Sequence, residues 1–213
     1  DDKDRKLIRY LIKHKHTSTF EHNTATFRFV VPLFVRSQHH RHRTWSYNEI
    51  SRRYTEENIR FYEPKLFRTQ HKSNRQASNI NELDDPIMFP DLSDSDFGIG
   101  ASMVVQKHHK ASVKLYKSLM SKGVCREQAR GVLPQNMYTE YYGTSNLSNI
   151  LKFCGLRLHE GAQWEIQKVA EGIIGICKNI WPITVNSYIN NLSDKSLSSR
   201  LKKVRVVSHE ANN

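Results

Sequence analysis

Cysteine is scarce in this chain of 213 residues: there are three, Cys125, Cys154 and Cys177. The number is odd and no pair has CxxC spacing. That argues against a disulfide framework and a structural zinc site, and makes a reducing compartment, the cytoplasm, the expectation. Long apolar runs are missing as well. No stretch of ~18 apolar residues occurs, so a membrane-spanning helix is not expected. The opening residues DDKDRKLIRY have no apolar core behind a basic start, so a secretory leader is not expected either. Acidic side chains are the third shortage, with Asp and Glu at 21 against Lys and Arg at 33, a formal net charge of +12. Such a surplus attracts polyanions without saying which, so nucleic acid, an anionic membrane, nucleotides and phosphorylated cofactors all stay open. Hydrophobic residues at 38% are enough for a core, which excludes wholesale disorder. The length suits one compact domain, since domains commonly run ~100–200 residues.

Hydrophobic periodicity organises the rest. Residues 4–16 read as a short helix with Leu7, Ile8, Leu11 and Ile12 in one stripe. Residues 23–31 alternate, Ala25, Phe27, Phe29 and Val31 on one face, which is the pattern of a half-buried strand. Pro32 ends it and suits the first turn of a helix. Residues 65–100 are rich in Ser, Asn, Asp and Pro, lack periodicity, and read as a long surface excursion with some mobility. Residues 101–122 read as a helix with Val104, Ala111, Leu115 and Leu119 on its apolar face and Gly123 as its stop. A second helix covers 125–133 and ends at Pro134, and 136–144 has strand chemistry. NLSNILKFCGLRL opens another helix. Residues 161–181 form an amphipathic central one, with Ile166, Ala170, Ile173, Cys177 and Ile180 in line. The expected fold is α+β, a small mixed sheet with several long helices. It is read as one domain over 1–192, followed by a basic, frayed tail over 193–213.

The densest chemistry lies in residues 36–54, which hold five arginines, three histidines and one carboxylate. A metal site on His39, His40 and His42 is disfavoured: HxxxH and HExxH spacings are absent, and neighbouring arginines repel a dication. A nucleic-acid patch lacks a recognisable fold motif. A merely solvated face would favour Lys and Glu, whereas here Arg is interleaved with Ser, Asn, Tyr and Trp. Arg presents a planar fork that grips phosphate at two points, and Ser and Asn supply neutral hydrogen bonds to a base or sugar. This composition suits the phosphates of a nucleotide or flavin.

Arg41-His42-Arg43, seven further residues and then Ser51 form the pattern RHR-x7-S. With it the chain resembles the flavin-dependent thymidylate synthases, the ThyX family. Three further blocks, LIRYLIKHKHTSTFEH, QARGVLPQNMYTEYYGTSN and LKFCGLRLHEGAQWEIQ, follow the family in order and spacing. The resemblance implies reductive methylation of dUMP to dTMP. Methylenetetrahydrofolate would supply the carbon, and FAD reduced by NADPH the hydride, in a homotetramer with shared active sites. A non-catalytic nucleotide- or RNA-binding module on the same basic segment is the alternative.

By the same resemblance, Arg41, His42, Arg43, Ser18, Glu21, His16 and Asn146 fall at flavin positions. Lys152, with Ser148, stands where many members carry other residues beside the flavin, and Glu49 is also placed in the cofactor set. Gln38, Arg41, Glu49, Ser51, Arg53, Arg130 and Arg157 match dUMP positions. Arg157 is the expected catalytic residue, because the family aims its counterpart at the pyrimidine edge, where it favours ionisation at N3. A guanidinium beside developing negative charge acts electrostatically and exchanges no proton. Ser51 is read as a phosphate contact rather than a nucleophile, for want of an evident activating partner set. Cys154, in ILKFCGL, is read as a packed small side chain. His39 and His40 replace bulkier apolar residues common before RHR and are given no role. Trp164 and Trp181 are read as core. The chain starts at Asp1 without the AAR-x-S-like segment that precedes LIRYL in the family, and Gly161 stands where some members carry His.

Overall fold

The computed structural model describes residues 1–51, 59–74, 77–89 and 98–205. They fall into two compact units, interleaved along the chain. The helical unit comprises Asp1–Thr26, His42–Ser46 and the chain from Thr144 onward; the sheet unit comprises Phe27–Arg41 and Tyr47–Gly143. Helices and small sheets together make the α+β architecture that the periodicity predicts.

Among the described residues the helical unit has α1 (Asp2–Lys13), α5 (Leu147–Arg157), α6 (Trp164–Ile180), α7 (Pro182–Asn190) and α8 (Lys195–Lys203). The amphipathic run becomes its centre. Ile166, Ala170, Ile173 and Cys177 of α6 are buried as their spacing requires, while Ile180, in the same line, is half exposed. Ile150 and Phe153 of α5, Val185 and Ile189 of α7, and Leu201 of α8 complete the core. Cys154 is fully buried and its thiol is pushed well above its ordinary range by that burial, which agrees with the packing reading. Trp164 and Trp181, expected as core, are only partly buried. Each closes an end of α6, where one ring face meets water. Pro182 then opens α7, a helix the periodicity did not reveal; Pro suits a first turn because its missing N–H is not needed there. The stripe of α1 is only half covered, with Leu7 exposed along a helix that lies on α7.

Over its described residues, 193–205, the tail differs from its expected fraying, and 206–213 lie outside the described residues. Asp194 caps α8 by accepting from the Leu197 N–H, and Ser198 Oγ donates to the Ile189 carbonyl at 2.9 Å. Lys178 Nζ donates to the carbonyls of Leu201, Lys202 and Val204 at 3.3, 3.0 and 3.0 Å. An ammonium at a helix C-terminus satisfies the orphan carbonyls there and suits the dipole. One apolar side chain, one cap and one lysine thus dock a segment whose composition alone reads as solvated.

The sheet unit is built on strands that form a three-stranded sheet in the order β1, β7, β2, with β1 at Thr24–Pro32, β2 at Ser46–Glu49 and β7 at Tyr138–Asn146. Phe27, Phe29 and Val31 face the core, as their alternation requires. Helix α2 (Leu33–His39) follows Pro32 directly. Helix α3 (Ala101–Ser121) ends where predicted, at Gly123, whose φ of 84° is the left-handed region open to glycine. Its buried face is another than expected. His109, Ser112 and Tyr116 are buried, whereas Ala111 and Leu115 are exposed. Tyr116 carries more apolar area than those two, and His109 is made burial-compatible by Glu63, 2.8 Å from its Nδ1, and by Phe61 stacked at 4.4 Å. Tyr116 packs with Ala129 of α4 (Arg126–Ala129), Leu133 and Met137.

The described residues of 65–100 are exposed or partly buried, and they contain strands; 75–76 and 90–97 lie outside the described residues. β3 (Phe67–Gln70) and β4 (Ser78–Asp84) form an antiparallel hairpin, and β5 (Ile87–Met88) pairs with β6 (Ile99–Gly100). Polar side chains hold the turn: Gln70 Nε2 donates to the Asn74 and Ala77 carbonyls at 3.2 and 3.1 Å, and His71 Nδ1 accepts from the Asn74 N–H at 3.1 Å. Strands stabilised this way show no apolar alternation, which is why the periodicity missed them.

Candidate active site

In the helical unit the chain leaves the RHR segment through a tight turn, closed by the Trp45 N–H on the His42 carbonyl at 3.3 Å. Ser145 Oγ donates to the Thr44 carbonyl at 3.1 Å and ties the turn to β7. Trp45 is buried edge-on against Phe153, and the His42 ring lies edge-on to the same phenyl at 4.8 Å. Phe153 and Arg157 are four residues apart on α5 and therefore share a face. The result is direct contact between two expected site residues: Arg157 Nε donates to His42 Nε2 at 3.0 Å.

The electrostatics agree with that direction of donation. Burial, then the Arg157 guanidinium, then Lys152 push the His42 imidazole from its ordinary value down to about 4. A neutral imidazole with an unprotonated Nε2 is the acceptor that an arginine N–H requires. Burial lowers Arg157 as well, yet arginine stays a cation in any protein setting.

Most of the other residues expected near the flavin belong to the same unit, whereas Arg41 and Glu49 belong to the sheet unit. Phe20 is buried and anchors the 3₁₀ turn Ser18–Phe20, which packs on α5. His16, Ser18 and Glu21 are exposed around it. Asn146 caps α5, its Oδ1 accepting from the Asn149 N–H at 2.9 Å. Lys152 and Arg43 are exposed cations. Among the described residues neither they nor His16 forms an ion pair with a carboxylate. Exposed cations such as Arg43 and Lys152 suit a dinucleotide phosphate, so the residues present fit FAD.

The sheet unit carries most of the residues matched to dUMP. Gln38 and Ser51 are partly buried, and Arg41 and Arg130 are exposed, Arg130 opening the 3₁₀ turn Arg130–Val132. Arg53 lies outside the described residues. Glu49 ends β2, where its Oε1 accepts from Thr139 Oγ1 at 2.6 Å and pairs with Arg36 Nε at 3.2 Å. Neither Thr139 nor Arg36 was singled out in the sequence. Strand alternation was the only available hint for Thr139, and nothing in the pattern distinguished Arg36 from its basic neighbours.

His39 and His40 now have structural work. His39 is fully buried and shares a 2.8 Å hydrogen bond between its Nδ1 and Tyr141 Oη, and Tyr47 Oη donates to its carbonyl at 2.8 Å. His40 stacks on Tyr47 with ring centroids 4.0 Å apart. Burial first, and Arg36 second, hold His40 below its ordinary value. Burial raises the Tyr47 and Tyr141 phenols, so both stay protonated donors. A hydrogen-bonded aromatic cluster therefore replaces plain apolar packing beneath the arginine segment.

Comparison with known proteins gives the family. The family model of the thymidylate synthase complementing protein matches residues 1–183. The chain is similar to the flavin-dependent thymidylate synthase of Thermus thermophilus, 40% identical over 197 residues, which are 92% of this chain and 68% of that protein. It is similar to the enzyme of the same description from Kosmotoga olearia, 39% identical over 189 residues, covering 89% of this chain and 77% of that one. Among solved structures it resembles the UMP/dUMP methylase PolB of Streptomyces cacaoi bound with 5-Br dUMP. The TM-score is 0.73 at 30% identity, covering 91% of this chain and 83% of that one. The chain belongs to the flavin-dependent thymidylate synthase family.

Proposed function

We propose that this protein methylates dUMP reductively to dTMP, with FAD as its cofactor, methylenetetrahydrofolate as carbon donor and NADPH as reductant, working as a homotetramer in the cytoplasm. Family membership supports the enzyme over the non-catalytic binding module. No helix among the described residues is long and apolar enough to cross a membrane, in keeping with that location.

The contact from Arg157 to neutral His42 carries the proposal. With Nε held by the imidazole, the guanidinium plane cannot rotate freely, and its charge is fixed in direction. A fixed cation at the pyrimidine edge stabilises negative charge at N3 without solvent reorganisation. Arg41, Arg53 and Arg130 hold the phosphate together with Ser51, and Gln38 supplies a neutral hydrogen bond to the nucleotide. Arg43 and Lys152 hold the phosphates of FAD, with His16 by the flavin ring and Ser18, Glu21 and Asn146 around it. Bound flavin supplies the hydride; this chain's side chains bind, orient and tune charge.

The purified protein should be yellow, bleach when NADPH is added, and form dTMP from dUMP and methylenetetrahydrofolate. A colourless preparation that fails to take up added FAD and forms no dTMP would sink the proposal.

A further inference from the structure

Three elements of the sheet unit converge on one carboxylate. Thr139 comes from β7, Arg36 from the last turn of α2, and Glu49 from the end of β2. Both partners address the same oxygen. Thr139 Oγ1 donates to Oε1 at 2.6 Å, and Arg36 Nε sits 3.2 Å from it, as an ion pair whose N–H is not aligned for a hydrogen bond. Thr139 is only 4% exposed, so its hydroxyl has no water to turn to. The Ile50 N–H on the Glu140 carbonyl at 3.0 Å pins the backbone just beyond Glu49. Oε2 accepts no hydrogen bond from the described residues, and the side chain is 25% exposed.

A carboxylate held at one oxygen presents the other in a fixed direction. An ionised carboxylate only accepts, and it repels phosphate. In a pyrimidine nucleotide the donors open to it are the sugar hydroxyl and the imide N–H. Arg157 is already assigned to the pyrimidine, and a carboxylate at N3 would oppose the charge that Arg157 stabilises. We infer that Thr139 and Arg36 are positioning residues, which hold Glu49 so that Oε2 accepts from the sugar 3′-hydroxyl of dUMP. This rests on the reading of Glu49 as a dUMP residue.

A sugar contact made equally in ground and transition states acts on KM and leaves kcat alone. Thr139→Val, which keeps the shape and removes the donor, should raise KM for dUMP about three- to tenfold, the scale of one hydrogen bond. Thr139→Ser should restore it, and Arg36→Met should raise KM in the same sense. The deciding measurement is the double variant. On a Glu49→Ala background Thr139→Val should add no further loss, because Thr139 acts only through the carboxylate. Additive losses, or a fall in kcat that Ser does not rescue, would overturn the positioning role. The probe 2′,3′-dideoxyuridine monophosphate separates the remaining readings. It should bind the wild type more weakly than dUMP does, and the Glu49→Ala variant as well as dUMP does. An equal penalty in both proteins would overturn the hydroxyl assignment. An unchanged KM for dUMP in Glu49→Ala would overturn the placement of Glu49 itself.

Discussion

At the scale of single residues, the role proposed for Arg157 divides binding from chemistry. A charge whose interaction strengthens as the pyrimidine ionises should, when lost, cost turnover. Arg157→Ala should retain FAD that NADPH still reduces, yet lose nearly all dTMP formation. Arg157→Lys keeps the charge but loses the planar fork and the Nε donor to His42, and should turn over slowly with moderate dUMP binding. Flavin bleaching and dTMP formation, followed in one preparation, check both variants. Near-normal dTMP from the Ala variant would move the activating role to another group such as Arg130. His42 carries a pH signature. Its imidazole titrates near 6.5 when unfolded and at about 4 when folded. Between those values the unfolded chain binds the extra proton, so the stability His42 contributes is complete above pH 6.5 and is lost as pH falls toward 4. His42→Gln keeps an acceptor for Arg157 without a titrating ring. Thermal unfolding should therefore show the wild type losing stability relative to the variant as pH falls from 6.5 toward 4, whereas parallel curves would refute the assignment.

At the scale of elements, α8 shows what one anchored helix contributes. Leu201 is fully buried, so Leu201→Ala should cost about 2–5 kcal/mol, the range of buried Leu truncations. Lys178→Met removes donors to three carbonyls at the end of α8 and should cost ~1–3 kcal/mol, the scale of charge-assisted hydrogen bonds lost near the surface. Chemical denaturation reads both. Limited proteolysis should cut after α8 in the Lys178 variant before it does so in the wild type. Equal stability and equal cleavage would show that α8 docks through its apolar face alone. Elements also differ in how openly they are written. α6 and β1 were legible because each buries one full face of a regular period. α3 was legible as a helix but not in its rotation, because the anchoring side chains, Tyr116 and His109, are amphipathic and score poorly as core. The β3–β4 hairpin was illegible because its strands are polar and leave no apolar rhythm, while side chain to backbone bonds hold its turn.

At the scale of the whole molecule, assembly is the open question that the surface addresses. Leu7, Leu156 and Ile180 in the helical unit, and Met103 and Leu115 in the sheet unit, are large apolar side chains about half exposed. Covering them is a reason to associate, and a ligand pocket of ~300–1,000 Å³ holds one ligand and part of a second rather than FAD, dUMP and folate together. Sedimentation should give a tetramer that dissociates only with loss of activity; an active monomer would refute the shared site. The sequence by itself determined the family and the reaction. Those rest on ordered motifs, on a surplus of positive charge and on side-chain chemistry, all of which are local. Tertiary structure alone decided that Arg157 leans on His42, that Thr139 and Arg36 hold Glu49, and that His39 and His40 are packed ring to ring with tyrosines. Each of these joins residues 7 to 115 positions apart. Such pairings depend on the need to satisfy every desolvated donor and acceptor, a condition that becomes specific only when the chain is folded.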